Sequence, residues 1–177
     1  IQNRNQIKTS QGAQWLTVPV KHQLGQKIVD VDINTSIGWQ KKHWKTIQQN
    51  YRKAAAFGDY ENELEQVFNH KWQGLNELNI ELILLILKWM DIQTPILRSS
   101  ELNAKGAASD LVLNLCLETN GQEYISGEGG MNYLQQDDFD KAGVKLVYKK
   151  TLLPLSNTPG SFVISFTVLI TVPAPVE

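Results

Sequence analysis

The sequence has one cysteine, no long apolar run and no marked excess of charge of either sign, and each of these absences excludes a class of protein. The lone Cys116 excludes an internal disulfide, and its apolar surroundings (LVLNLCLE) indicate a buried small side chain. No apolar run reaches the roughly 20 residues that a membrane-spanning helix needs. Seventeen basic and eighteen acidic residues leave a net charge of −1, without bulk attraction to nucleic acid or anionic lipid, although a local basic face is compatible with it. The composition predicts a soluble protein of the reducing cytoplasm.

The common catalytic and nucleotide-binding motifs are also absent. The stretch YISGEGGMNYL (residues 124–134) is neither a GxGxxG fingerprint nor a P-loop. Ser126 does not lie in a G-x-S-x-G elbow, and no Ser/His/Asp order suggests a hydrolase triad. No Cys/His spacing indicates a metal site, so a metal is not expected and no cofactor is indicated.

Apolar periodicity predicts the elements of the first half of the chain. Alternation predicts strands at Gln14–Val20 and Lys27–Ile33. Helical spacing of Trp44, Ile47 and Tyr51 predicts a helix from about Trp39 to Ala55, with Ser36 as its cap and Gly58 as its breaker. A second helix is expected from Asp59, with Leu64, Val67 and Phe68 facing inward. A third, apolar on nearly all sides from Ile80 to Met90, is expected to be buried between layers.

The second half alternates helices and strands. We expect a strand starting at Thr94, a helix capped by Ser109, a strand in QEYIS, a short helix stopped by Gly143 and a strand in VKLVY. This order predicts an α/β fold: a mixed, partly parallel sheet with helices on its faces, in a Rossmann-like three-layer arrangement. Ligands gather at the carboxyl ends of strands in such sheets, where RSSE and SGEGG are expected.

Four segments carry candidate chemistry, each with a plain structural alternative. The glycines of residues 126–130 either admit a ligand to the backbone or serve a turn that needs positive φ at two positions. Arg98, with Ser99 and Ser100, either binds an anion or forms a surface ion pair. His43 is either a general acid/base or a helix histidine on a solvated basic face. The polar NRN (Asn3–Asn5) is either a binding segment or a frayed end.

The chain resembles the WbqC-like family of bacterial proteins. The resemblance spans about residues 3–148 and is carried by NRNQIKT, QWLTVPVK, WQKKHWKTIQQNYRKAAAF, LNELNIELI, RSSEL and YISGEGGMNYLQQDDFDKAGVKL. It implies a role in the biosynthesis of O-antigen and other surface polysaccharides. The implied activity is a transferase that adds glycine or another aminoacyl group to an amino sugar or sugar nucleotide. The alternative is a non-catalytic ligand-binding or assembly protein of the same pathway.

The resemblance also implies roles for individual residues. It assigns His43 and Ser126 to catalysis. It assigns ligand binding to a polar and glycine-rich set, with Trp15 as a further match: Asn3, Arg4, Asn5, Lys21, Trp39, Arg98, Ser99, Ser100, Gly127, Gly129, Gly130, Asn132 and Tyr133. The expected partner is a small sugar nucleotide or amino sugar. Nucleic-acid binding through the Lys41–Lys53 face is disfavoured by the net charge and the core spacing of its aromatic residues.

Both ends of the chain depart from the family pattern. The chain begins at Ile1 without the family's aromatic-rich opening stretch, so residues 1–150 are expected to form a WbqC-like domain that lacks its N-terminal strand. Residues 151–177 carry no charged side chain before Glu177 and contain SFVISFTVLITV. We expect this apolar tail to be a frameshifted reading of the family's C-terminus; the alternative is a divergent final strand.

Overall fold

The computed structural model describes residues 2–149, which divide into two compact units at residues 94 and 95. The described residues form a mixed α/β structure with five α-helices and three two-stranded sheets, one of them parallel. None of these sheets is a continuous multi-stranded sheet of the Rossmann type within residues 2–149. The expected tail, residues 151–177, lies outside the described residues.

Two small antiparallel sheets begin the first unit. Strands β1 (Arg4–Thr9) and β2 (Gly12–Thr17) form a hairpin whose turn uses Gly12 at φ 109°. Strands β3 (Val20–Lys21) and β4 (Asp32–Ile33) form the second pair. The predicted strand at 14–20 is therefore interrupted at residues 18 and 19, where Pro19 has no N–H to donate.

The strand predicted at Lys27–Ile33 is wrong except for its last two residues. Residues Ile28–Asp30 form a 3₁₀ turn. Ile28 packs against the core and Val31 is fully buried. A 3₁₀ turn brings residues three apart to one side, so Ile28 and Val31 face the core together, whereas Val29, which a strand would place beside Val31, is 40% exposed.

Three helices provide most of the first unit's core. They are α1 (Trp39–Tyr51), α2 (Phe57–Asn69) and α3 (Leu75–Trp89). The predicted inward positions Trp44, Ile47 and Tyr51 are buried, as are Leu64 and Val67, with Phe68 partly buried against them. Helical spacing thus predicted the buried faces correctly.

The predicted helix boundaries in this region need correction. Ser36 does not cap α1: its hydroxyl donates to Asn34 Oδ1, and Gly38 precedes the helix. Gly58 does not break a helix but lies in the first turn of α2, which starts at Phe57 rather than after Asp59. A glycine near a helix end costs less than one in the helix interior, because the backbone is less restricted there.

Helix α3 is less buried than its composition predicted. Its buried residues are Leu75, Leu78 and Leu85, whereas Leu84 is 45% exposed. Met90, which follows the helix, is 63% exposed. Within residues 2–149, α2 and the Ile28–Asp30 turn contact α3 and cover one of its sides.

The second unit is built around a parallel strand pair. Strands β5 (Glu123–Gly127) and β6 (Lys145–Lys149) pair in parallel, and α5 (Gln136–Lys141) lies between them in the chain. Helix α4 (Ala108–Glu118) precedes β5 and contributes Cys116 to a core with Tyr124, Phe139 and Leu146. The predicted partly parallel pairing, the short helix and both strands are confirmed here.

Two other predictions in the second unit are wrong. Residues 92–98 form no strand; all are exposed, and Pro95 cannot donate to a ladder. Ser109 does not cap α4, which starts at Ala108 after Ala107. The Ser109 hydroxyl instead accepts a hydrogen bond of 2.9 Å from the Gln135 N–H and so ties α4 to the segment that enters α5.

Three helices end with the same left-handed residue motif. Asp91 (φ 52°), Asn120 (φ 54°) and Gly143 (φ 72°) follow α3, α4 and α5. In each case the next residue's N–H bonds back five positions, as in Ile92 to Leu87, Gly121 to Cys116 and Val144 to Phe139. This is the Schellman geometry, which satisfies carbonyls that a helix end leaves open. The predicted stop at Gly143 is confirmed.

Candidate functional site

The glycine-rich loop at the end of β5 combines one glycine that packing requires with two that it does not. Gly130 is buried in the turn Glu128–Asn132. A Cβ on Gly130 would overlap the Ser126 hydroxyl and approach Leu134 Cδ1 to 2.8 Å. Ser126 is 6% exposed, and its hydroxyl donates to the Gly127 carbonyl at 3.0 Å. Close packing therefore explains Gly130.

Gly127 and Gly129 have no such explanation. Gly127 adopts φ −73° and ψ 170°, which any residue can adopt, and Gly129 does not have positive φ. A Cβ at either position would meet open space. The alternative of a turn with two positive-φ glycines is therefore wrong. Both glycines expose bare backbone at the carboxyl end of a parallel strand, where ligands commonly bind.

Polar and aromatic side chains surround this exposed backbone. Asn132 and Tyr133 follow in the loop, and Tyr133 is 42% exposed. Beneath the loop, Tyr124 shares one face of β5 with Ser126 and stacks on Phe139 at 6.0 Å between ring centroids. Burial raises the pKa of the Tyr124 phenol, and a hydrogen bond with Ser126 opposes this rise. A neutral phenol and a buried hydroxyl thus support the loop from below.

Arg98, Ser99 and Ser100 also belong to the second unit. Arg98 precedes a 3₁₀ turn (Ser99–Glu101), and all of these residues are exposed. The Arg98 guanidinium lies 3.7 Å from a Glu101 carboxylate oxygen. Both partners are exposed, so an ion pair of this kind contributes only about 0–1 kcal/mol. The guanidinium is thus available to an anion at little cost.

His43 lies in the first unit and is buried among aromatic rings. It is 7% exposed, with the Trp39 ring centroid at 5.2 Å and that of Phe68 at 6.4 Å. Burial lowers the pKa of His43, and nearby Lys42 lowers it further, against a hydrogen bond with the Thr17 backbone that raises it. The imidazole is therefore neutral near pH 7. It does not lie on the solvated basic face.

Trp39 carries a buried polar atom without a partner. Its side chain is 4% exposed, and within residues 2–149 its indole Nε1 has no hydrogen-bond partner. An unsatisfied buried donor costs about 1–3 kcal/mol. Trp39 and His43 lie one turn apart on α1, and their rings are in edge-to-face contact.

The candidates near the N-terminus lie in or beside strands. The Asn3 amide donates to the Val18 carbonyl at 2.9 Å and closes the hairpin base. The Arg4 guanidinium lies 4.7 Å from the Trp15 ring centroid, a cation–π contact, and Asn5 Oδ1 accepts from the Gln6 N–H. Lys21 is exposed and lies opposite Asp32 in the register of β3 and β4. Arg4 and Asn5 thus lie in β1 and Asn3 is hydrogen-bonded beside it, so NRN is not a frayed end.

A groove of about 600 Å³ between α2 and α3 has no counterpart in the sequence-based site. Its wall includes His70 and Trp72, whose ring centroids are 4.3 Å apart. At its rim Glu63 accepts hydrogen bonds of 2.7 Å from both Lys88 Nζ and Trp89 Nε1. These contacts hold the pKa of the Glu63 carboxyl below its usual value. No residue spacing in the sequence predicts this groove, because its walls come from two separate helices that meet only in the folded protein.

Residues 2–149 contain no group of three or more His, Cys, Asp or Glu side chains arranged to hold a metal ion. No helix in this part of the chain is long and apolar enough to cross a bilayer.

Comparison with known proteins gives the chain its family. It is 32% identical over 149 residues to a Mycobacterium tuberculosis protein named uncharacterized protein Rv1507c. The match covers 82% of this chain and 64% of that protein, so the chain spans less than two thirds of its relative. No solved structure matches the chain. The model of the WbqC-like protein family matches residues 1–169. The chain therefore belongs to the WbqC-like protein family.

Proposed function

We propose that this protein acts in bacterial surface polysaccharide (O-antigen) biosynthesis as a cytoplasmic transferase. Its substrate is a sugar nucleotide or amino sugar, which binds at the loop from Gly127 to Tyr133. The observation that carries this proposal is the exposed backbone at Gly127 and Gly129, where neither backbone conformation nor crowding calls for glycine. Close approach of a ligand is one physical reason for a residue without a side chain at such a place.

Neighbouring groups suit the chemistry of such a ligand. Backbone N–H groups and the Asn132 amide offer hydrogen bonds to hydroxyl or phosphate oxygens, and exposed Tyr133 offers a ring face to a sugar. Arg98, held only by an exposed ion pair, provides a fork of donors for a phosphate or carboxylate. Ser99 and Ser100 add exposed hydroxyls.

The transfer itself would form an amide. Glycine activated by ATP carries a carbon–oxygen–phosphorus linkage, and the sugar's amino nitrogen attacks the acyl carbon. The carbon–nitrogen bond forms, the carbon–oxygen bond to phosphate breaks, and the proton on nitrogen goes to a base. Ser126 would orient the loop through its bond to the Gly127 carbonyl.

Calorimetric titration of the chain with UDP- and dTDP-linked amino sugars tests the binding step. Gly129→Ala is expected to weaken binding at least tenfold without loss of stability, since its Cβ would meet only a ligand. Arg98→Ala is expected to weaken it by a similar factor. Lys145→Ala, on the strand that pairs with β5, is the matched control and should bind as the wild type does. Wild-type binding by Gly129→Ala and Arg98→Ala would refute this site.

A non-catalytic binding or assembly protein of the same pathway is the second candidate. It is favoured by the burial of both candidate catalytic side chains, since Ser126 is 6% and His43 is 7% exposed. Incubation with glycine, ATP and the sugar nucleotide, followed by mass spectrometry, separates the two candidates. An aminoacylated sugar supports the transferase; bound but unchanged sugar supports the binding protein.

A further inference from the structure

The exposed side of α1 carries a dense set of positive charges. Between Trp39 and Lys53 the sequence has no Asp or Glu, although the whole chain has a net charge of −1. Five cations lie on or just after the helix and all are exposed; we call them the basic stripe: Lys41, Lys42, Lys45, Arg52 and Lys53.

Helix geometry gathers these charges on one side. At 3.6 residues per turn, Lys41, Lys45 and Arg52 fall within an arc of about 40°, and Lys42 lies about 100° from Lys41. Trp44, Ile47 and Tyr51 occupy the opposite side and are buried in the core. The helix is therefore fixed in rotation, and its basic side faces outward.

The positive charge of the stripe is not neutralised nearby. Within residues 2–149, none of the five cations lies within ion-pair distance of a carboxylate. On α2, Glu65 accepts from the neutral Trp44 Nε1 at 3.2 Å and Glu61 from the neutral Gln48 amide at 3.1 Å, so both keep their charge but form no ion pair with the stripe. A field of this kind attracts an anionic partner and weakens with salt.

We propose that the basic stripe docks the protein on a membrane surface rich in anionic lipids. Four of its five cations are lysines, which act as flexible point charges and suit head groups without fixed positions. Fixed nucleic-acid phosphates favour the planar fork of arginine, and the aromatic side chains of α1 are buried and cannot stack on bases. Ile37 lies just before α1 and is 53% exposed, and it offers an apolar contact to the membrane beside the N-terminal end of the stripe.

Co-sedimentation of the full chain with lipid vesicles tests this docking. We expect binding to phosphatidylcholine vesicles with about 30% phosphatidylglycerol at about 50 mM salt, and release at about 500 mM. Each basic residue near such a surface contributes about fivefold in affinity. Lys41→Gln/Lys45→Gln should therefore weaken binding by roughly 25-fold.

A matched double variant controls for the loss of net charge. Lys27→Gln/Lys105→Gln removes two exposed lysines that lie outside α1 and should bind as the wild type does. Equal weakening by both variants would overturn the proposal. So would absence of binding at low salt, equal binding to vesicles without phosphatidylglycerol, or tighter binding to a DNA duplex than to anionic vesicles.

Discussion

At the scale of single residues, Gly130 and Ser126 form one packing unit beneath the candidate loop. The Ser126 hydroxyl fills the space that a side chain at residue 130 would need, and Leu134 closes the other side. The buried hydroxyl donates a hydrogen bond to the carbonyl of Gly127, and Gly127 is the last residue of β5. The shape of the exposed loop thus depends on a buried contact behind it.

This contact predicts a pair of coupled mutations. Gly130→Ala should lower the free energy of unfolding by about 1–3 kcal/mol, because its Cβ overlaps the Ser126 hydroxyl. Ser126→Ala removes that oxygen and should partly restore stability in the double variant. Gly129→Ala is the control and should not destabilise, since its Cβ meets open space. Urea unfolding of the wild type and the four variants measures these differences; strictly additive effects of Gly130→Ala and Ser126→Ala would contradict the coupling.

His43 predicts a pH dependence of stability. Burial lowers its pKa in the folded protein below the value of the unfolded chain, about 6.5. Below that value the unfolded state binds the proton more readily, so stability is complete above it and falls as the pH decreases toward the folded pKa. His43→Phe should lose less stability than the wild type between about pH 7.5 and pH 5.5.

Urea unfolding of both proteins at the two pH values measures this difference. NMR titration of the His43 ring gives an independent check and should show a midpoint below that of a free histidine. An equal loss of stability in wild type and variant would mean that burial of His43 does not couple to its protonation.

At the scale of elements, α3, α4 and α5 each end with a residue in the left-handed conformation, and substitutions at these three residues should change stability in opposite directions. Asp91 and Asn120 hold a conformation that glycine adopts without strain, so Asp91→Gly and Asn120→Gly should each stabilise by about 0.5–1 kcal/mol. Gly143→Ala should destabilise by about 1 kcal/mol for the converse reason. Thermal unfolding of the three variants checks the signs; stabilisation by Gly143→Ala would contradict the motif.

Prediction of helices and strands from the sequence succeeded where the spacing of the apolar residues fits only one type of secondary structure. The spacing of Trp44, Ile47 and Tyr51 suits only a helix face, and strands β5 and β6 are short apolar runs bounded by turn residues. It failed at Lys27–Ile33, because the alternation groups Val29 with Val31, whereas the 3₁₀ turn places Ile28 with Val31 and leaves Val29 exposed. It also missed β1, whose residues RNQIKT are mostly polar and gain order by pairing with β2.

At the scale of the whole molecule, the candidate site was only partly visible in the sequence. Glycine composition located the loop, but only three-dimensional packing separates Gly130 from Gly127 and Gly129. The burial of His43 depends on Phe68 from another helix, and the groove at His70 and Trp72 depends on α3. Contacts between distant segments carry no local pattern, so such features need the fold.

The segment between the two units predicts a site of proteolysis. Residues 91–100 are all exposed, and Arg98 is a trypsin site within them. Under limiting trypsin we expect the earliest cut among residues 2–149 to follow Arg98, because its backbone opens at little cost. Mass spectrometry should detect fragment 1–98 first, and Arg98→Gln should delay cleavage several-fold. Earlier cuts inside α1 or α4 would contradict this expectation.

The division at residues 94 and 95 also affects how the protein forms during synthesis. Within the described residues, each unit is a continuous stretch of chain, and no strand of one is inserted into a sheet of the other. Ribosomes add about 5–20 residues per second, so the second unit needs several seconds to emerge. Mixed α/β domains of this size fold in milliseconds to seconds. Residues 2–94, the described part of the first unit, can therefore form their core while residues 95–149 are still being translated.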